Sequence, residues 1–170
     1  MRTNLILKTI IDILFFILSL GALGAVIISL MSLFTLDLDL LSYTSYPLPI
    51  NHEWIIPISI LNILIPIFFF LGIGYLREVA KCFLKKKWYH EKIVKYFRLS
   101  GRYLSITAII GFVSYFLYTF TTENRCSLPA SSLKNPHLIL FILITGLCFI
   151  MISRILKETI EAKQENELTI

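Results

Sequence analysis

Four uninterrupted apolar runs constrain this chain more than any other feature of its sequence. The first, residues 13–34, continues for 22 positions without a charged side chain, and others occupy 55–76, 104–120 and 138–153. About 20 residues, rising 1.5 Å each, cross a hydrocarbon core of about 30 Å, so such runs predict membrane-spanning helices. The sequence therefore predicts an all-α fold, a transmembrane four-helix bundle with up-down-up-down topology, as a single domain over residues 1–170.

Basic residues are concentrated on one predicted side of the membrane. The segment 77–103, which we call the basic loop, holds nine Lys or Arg against two Glu. The chain before the first run adds two more and the tail 154–170 adds three, whereas 35–54 has none and 121–137 has two. Cytoplasmic loops of membrane proteins carry the excess of Lys and Arg. The pattern places both termini, the basic loop and the tail in the cytoplasm.

The basic loop admits two interpretations. Its cations can rest on anionic lipid headgroups, each attracted by about 1 kcal/mol near the surface. It can also dock a cytoplasmic protein, and its position beside the membrane argues against direct binding of nucleic acid. Lys95, Arg98 and Arg102 recur at helical spacing and predict one basic face. The candidate contact residues for lipid or partner are Lys85, Lys86, Lys87, Lys95, Arg98 and Arg102.

The tail carries acidic residues at a matching spacing. Glu158, Glu161 and Glu165 lie three and four residues apart, within one face of a helix. Because the third and fourth spans run in opposite directions, we expect these carboxylates to dock on the basic face. A solvated tail that rarely touches the basic loop is the open alternative.

Two polar features lie in or beside the spans. Pro66 removes the backbone hydrogen bond that would reach the carbonyl of Asn62. This break is either a kink whose polar groups a neighbouring helix or a water satisfies, or a ligand site in a small transporter. Asp12 lies four residues after Lys8 and can pair with it on one helical face; a role in proton relay is the other interpretation of this carboxylate.

The sequence lacks the patterns that mark common enzymes. It contains no HExxH, CxxC or phosphate-binding glycine loop, and no recognisable nucleophile with its base. His52 and His137 both precede a span and are weak candidates for holding a metal or a haem. Ordinary histidines at a membrane boundary are the simpler interpretation. We therefore predict no enzymatic activity and no cofactor.

Two short stretches, residues 85–101 within the basic loop and the closing segment 165–170, carry a resemblance to a known family. The chain resembles the bacterial family known as domain of unknown function 2975, which consists of small four-span membrane proteins. The resemblance implies a multi-pass protein of the bacterial cytoplasmic (inner) membrane without an established activity. Members are often encoded beside a small helix-turn-helix regulator, which implies a cytoplasmic regulatory partner. The matching residues are Lys85, Lys86, Trp88, Tyr89, Val94, Phe97, Arg98, Gly101 and the closing segment 165–170.

These observations together predict a non-enzymatic membrane protein that senses or sequesters a cytoplasmic regulatory protein through its basic loop and tail. The alternative is a small transporter or permeability factor that uses the break at Asn62 and Pro66. The oligomeric state stays open.

The predicted orientation can be tested with fused reporters. Reporters placed after Ile170 or within 77–103 should report the cytoplasm, and those within 35–54 or 121–137 should report the outside. The reason is the division of Lys and Arg, fourteen on one side against two on the other. Activity of an outside-specific reporter within 77–103 would overturn the orientation.

Overall fold

The computed structural model describes four long helices and no other regular element in the described residues. These are α1 (Arg2–Thr35), α2 (His52–Leu84), α3 (Glu91–Thr121) and α4 (Pro136–Leu168). The structure describes the same four ranges of residues. The predicted all-α fold with four spans is confirmed.

Each helix is longer than a membrane core is thick. The four contain 34, 33, 31 and 33 residues, which corresponds to about 46–51 Å at 1.5 Å per residue. A hydrocarbon core of about 30 Å leaves several turns outside it. The stretches long and apolar enough to cross are Thr9–Met31, Ile56–Leu84, Glu91–Leu117 and Pro136–Asn166. The chain is thus a multi-pass membrane protein whose helices project beyond the core.

Helices that are neighbours in the chain pack against each other in antiparallel pairs. In the α2–α3 pair, the Ser100 hydroxyl donates to the Gly72 carbonyl at 2.8 Å, and the Ser114 hydroxyl donates to Asn62 Oδ1 at 3.1 Å. The later residue of α3 thus pairs with the earlier residue of α2, so the two helices are antiparallel. Within the described residues, each helix backbone closely approaches those of its neighbours in the chain, α1 with α2, α2 with α3 and α3 with α4, and no other pair of backbones comes as close.

This up-down-up-down order brings four helix ends together. The beginnings of α1 and α3 and the ends of α2 and α4 lie at one end of the molecule, which we call the basic end. Its position on the cytoplasmic side stays a prediction.

The backbones of α3 and α4 meet where both helices lack a side chain. A Cβ added to Gly101 would lie 2.6 Å from the Gly146 carbonyl oxygen and 2.8 Å from Ile150 Cγ1. A Cβ added to Gly146 would lie 2.7 Å from Ser105 Oγ and 2.9 Å from the Gly101 carbonyl oxygen. Small residues allow such close approach between membrane helices, which gain stability from packing because lipid is as apolar as their side chains.

Buried serines reinforce these contacts. The hydroxyl of Ser153 on α4 donates to the carbonyl of Val94 on α3 at 2.9 Å. Ser153 and Ser100 are both 0% exposed, and each hydroxyl donates to a backbone carbonyl of the preceding helix. Such bonds satisfy the hydroxyl where no water is available and contribute about 0.6 kcal/mol on average in membranes.

The close contact between Gly101 and Gly146 predicts that alanine lowers stability at Gly146 but not at a glycine without close neighbours. Gly146→Ala should destabilise the protein by about 1–3 kcal/mol, because the added methyl has no space and forces the helices apart. Gly21→Ala on α1 is the matched control, since nothing lies within 4 Å of its added Cβ. That control should be neutral or stabilising by up to about 1 kcal/mol from helix propensity. Denaturant unfolding in detergent micelles measures both, and equal effects would refute the close contact.

Candidate functional site

An apolar cluster holds α2, α3 and α4 in place at the basic end. Val79 of α2 packs with Ile93 and Phe97 of α3, and these side chains are 2%, 1% and 8% exposed. Phe149 and Leu156 of α4 pack against the same cluster. α2 thus continues past residue 76, where the predicted second span ends, and α3 begins before residue 104, where the predicted third span begins. Most of the basic loop is therefore helix.

An ion pair joins α1 to α2 at this end. Arg77 donates to Asp12 Oδ1 through Nε at 2.8 Å and through Nη2 at 2.5 Å. The Arg77 guanidinium also lies 4.5 Å from the centre of the Phe15 ring, a cation–π contact. The spacing of residues along α1 suggested Lys8 as the partner of Asp12; the Lys8 side chain lies outside the described side chains. Arg77 is a partner that only the packing of two helices reveals.

The predicted basic face lines a groove between α3 and α4. The groove has a volume of about 500 Å³. The α3 wall carries the three cations expected from the sequence, Lys95, Arg98 and Arg102. The α4 wall carries Lys157 together with Glu161 and Gln164. Apolar side chains lie between them. The lining residues are Glu91, Val94, Lys95, Arg98, Leu99, Arg102, Lys157, Ile160, Glu161 and Gln164.

Because α3 and α4 are antiparallel, the side chains of the two groove walls tilt in opposite directions along the helix axes. Side chains of an α-helix tilt toward its N-terminus, which lies at the basic end for α3 and at the opposite end for α4. Long side chains of α3 therefore reach outward and those of α4 reach back toward the membrane. The Lys157 ammonium lies 3.2 Å from the Glu161 carboxylate, and both side chains are more than half exposed. Such a pair is weak, and cations outnumber carboxylates in the groove.

The acidic tail lies on a part of α4 that extends past the described residues of α3. Ser153 is opposite Val94; α3 begins three residues before Val94, whereas α4 continues fifteen residues past Ser153. The difference is an overhang of α4 by about 18 Å. Glu161 lines the groove, whereas Glu158 and Glu165 are not among its lining residues. Docking of the tail on the basic face stays a prediction.

Three predicted contact residues are not described by the structure, and the two candidate histidines lie far from the groove. Lys85, Lys86 and Lys87 lie outside the described residues. His52 is the first residue of α2 and His137 the second of α4, both at the end opposite the basic end. In the described part of the chain those two helices do not contact each other. Nor does that part contain a group of three His, Cys, Asp or Glu placed to hold a metal ion.

The break near the middle of α2 is used in packing against α3. α2 remains helical through Pro66, and the Asn62 amide oxygen accepts the hydrogen bond from Ser114 at 3.1 Å. This contact satisfies the side-chain amide oxygen of Asn62; the choice between a kink and a ligand site stays a prediction. One turn earlier, the Ser59 hydroxyl is 0% exposed and has no hydrogen-bond partner among the described residues.

Comparison with known proteins identifies the family. The family model described as "Protein of unknown function (DUF2975)" matches residues 39–170. The match covers α2, α3 and α4 and begins after α1. The resemblance seen in the sequence is thereby confirmed. The chain matches no curated protein and no solved structure.

The bond between Ser114 and Asn62 predicts a small effect of removing it. Asn62→Leu and Ser114→Ala should each destabilise the protein by about 0.6 kcal/mol, and the double variant should cost less than the sum of both. A double-mutant cycle of unfolding in detergent measures this coupling. In cells, both variants should behave alike if packing is the role of Asn62. Loss of a cellular phenotype in Asn62→Leu alone, with normal expression, would support a ligand site at this position instead.

Proposed function

We propose that this chain, which belongs to the family "Protein of unknown function (DUF2975)", senses or sequesters a cytoplasmic regulatory protein without catalysing a reaction. In this proposal it resides in the bacterial cytoplasmic membrane, with its basic end in the cytoplasm. The excess of Lys and Arg in the segments at that end supports this orientation.

The overhang of α4 is the observation that carries the proposal. Leu156 and Ile160 face the rest of the protein, whereas every described residue from 161 to 166 is exposed. A helix held on one face by apolar contacts presents its other face at a fixed position. This rigidity reduces the entropy that a partner must overcome on binding. Acidic side chains on the overhang beside a basic groove are suited to a partner that presents basic residues to the overhang.

The absence of enzymatic activity is part of the proposal. It is supported by the sequence, in which no catalytic motif is recognisable. The second candidate is a small transporter or permeability factor that uses Asn62 and Pro66. The buried hydroxyl of Ser59, one turn from Asn62, favours it, because polar groups inside a membrane often mark a pathway.

A comparison of charge variants tests the proposal. The tagged protein, extracted in a mild detergent, should co-purify with a specific cytoplasmic protein. Glu158→Lys combined with Glu161→Lys should reduce recovery of that protein about tenfold or more, because like charges at an interface cost several kcal/mol. The control is His137→Lys, which adds a cation at an exposed position on the opposite end of the same helix.

Two results would contradict docking on the overhang. One is equal recovery of the same proteins by the wild type and by the variant of Glu158 and Glu161. The other is solute transport by the purified protein in vesicles with only a gradient present, which would favour the second candidate.

A further inference from the structure

Measured along the helix axes, Arg102 lies farther from the basic end than Arg77 of α2 and Arg154 of α4. Arg77 pairs with Asp12, so these two residues mark one level. On the same helix, Gly72 accepts from Ser100 of α3. Arg77 lies five residues from Gly72 toward the basic end, and Arg102 lies two residues from Ser100 in the opposite direction. Gly72 also contacts Leu104 of α3, so Arg102 is about 5–10 Å farther from the basic end than Arg77.

The contact with α4 gives an independent measure of the same level. Ser153 is opposite Val94, and Arg154, one residue on, is the first charge after the fourth apolar run. Arg102 lies eight residues from Val94, away from the basic end, which places it about 13 Å below Arg154. Arg98 is one turn closer to the basic end and lies about 7 Å below Arg154. Both arginines therefore lie beside the uncharged run of α4.

Charges at this depth require compensation. A charged side chain in hydrocarbon is costly, and long side chains avoid the cost by extending to the interface. Because α3 begins at the basic end, the tilt of its side chains directs Arg98 and Arg102 toward that interface. Arg102 is exposed and Arg98 is partly buried. Among the described residues, no carboxylate forms an ion pair with either.

We propose that Arg98 and Arg102 bind the phosphate of an anionic phospholipid in the groove between α3 and α4. A guanidinium matches phosphate geometry with two parallel hydrogen bonds. Leu99, next to Arg98 on α3 and on its membrane side, supplies apolar surface for the glycerol and the first acyl carbons. The volume of about 500 Å³ falls within the range of sites for small ligands, roughly 300–1,000 Å³.

The depth of the arginines selects a lipid as the occupant. A lipid phosphate lies at the membrane interface, which the two side chains reach from below. An acidic polypeptide or a soluble phosphate would have to descend to the same level and lose its hydration. Arg98 and Arg102 line the part of the groove nearer the membrane, whereas Glu161 of the overhang lines its outer part. The lipid site is tested at the arginines and the docking of a protein at Glu158 and Glu161, so either proposal can fail without the other.

Lipid titration of the purified full-length protein tests this site. In zwitterionic micelles, added dioleoyl phosphatidylglycerol should raise the midpoint of thermal unfolding more than the same amount of dioleoyl phosphatidylcholine. The apparent affinity for phosphatidylglycerol should fall about tenfold in Arg102→Gln and further in the double variant with Arg98→Gln, through the loss of charge-assisted hydrogen bonds. Arg154→Gln is the matched control, being an exposed arginine outside the groove, and should lose less than about twofold. Arg102→Lys keeps the charge and should retain an intermediate affinity.

Several outcomes would overturn the proposal. Equal loss in Arg154→Gln and Arg102→Gln would mean diffuse attraction to a charged surface. Equal shifts from both lipids would mean that the phosphate charge is not recognised. A shift from glycerol 3-phosphate alone as large as that from phosphatidylglycerol would indicate a soluble phosphate ligand. A hexaglutamate peptide that protects as well as phosphatidylglycerol would assign the groove to an acidic polypeptide.

Discussion

The backbone contact between Gly101 and Gly146 sets the register on which the rest of the basic end depends. With no side chain between them, α3 and α4 approach closely enough for Ser153 to bond the Val94 carbonyl two turns farther along. This register gives α4 its overhang past the beginning of α3. It also places Arg98 and Arg102 below Arg154, the first charge of α4 after its apolar run. A change of one helical turn in this pair would move both features by about 5.4 Å.

Two kinds of packing meet along the helices. Within the apolar runs, helices are held by small residues and by serine hydroxyls that bond carbonyls, because lipid supplies no hydrophobic driving force between them. At the basic end, Val79, Ile93 and Phe97 form a buried cluster of the kind found in soluble proteins. Val79 and Ile93, the outer part of this cluster, lie past the uncharged runs, where water supplies a hydrophobic driving force. The cluster fixes α2, α3 and α4 relative to one another at the basic end.

The sequence predicts the elements well and their contacts poorly. Uncharged runs identify four spans because the thickness of a bilayer constrains each run separately. The basic face of Lys95, Arg98 and Arg102 follows from helical spacing within one element, and these residues do line one groove. The partner Arg77 for Asp12 lies 65 residues away, and no periodicity along one helix reveals it. Ser114, the partner of Asn62, is 52 residues away, so the pattern within one helix does not predict it either.

The central claim is the register of α3 against α4, and disulfide crosslinking tests it most directly. Cysteines would replace Val94 and Ser153 in a protein lacking Cys82, Cys126 and Cys148, and membranes would be oxidised. The account predicts efficient crosslinking that does not change with salt, because the contact is buried. Cysteines at Arg98 and Glu161, about 18 Å apart along the axis in this register, would crosslink more slowly. Efficient crosslinking of Arg98 with Glu161, together with none between Val94 and Ser153, would contradict the account.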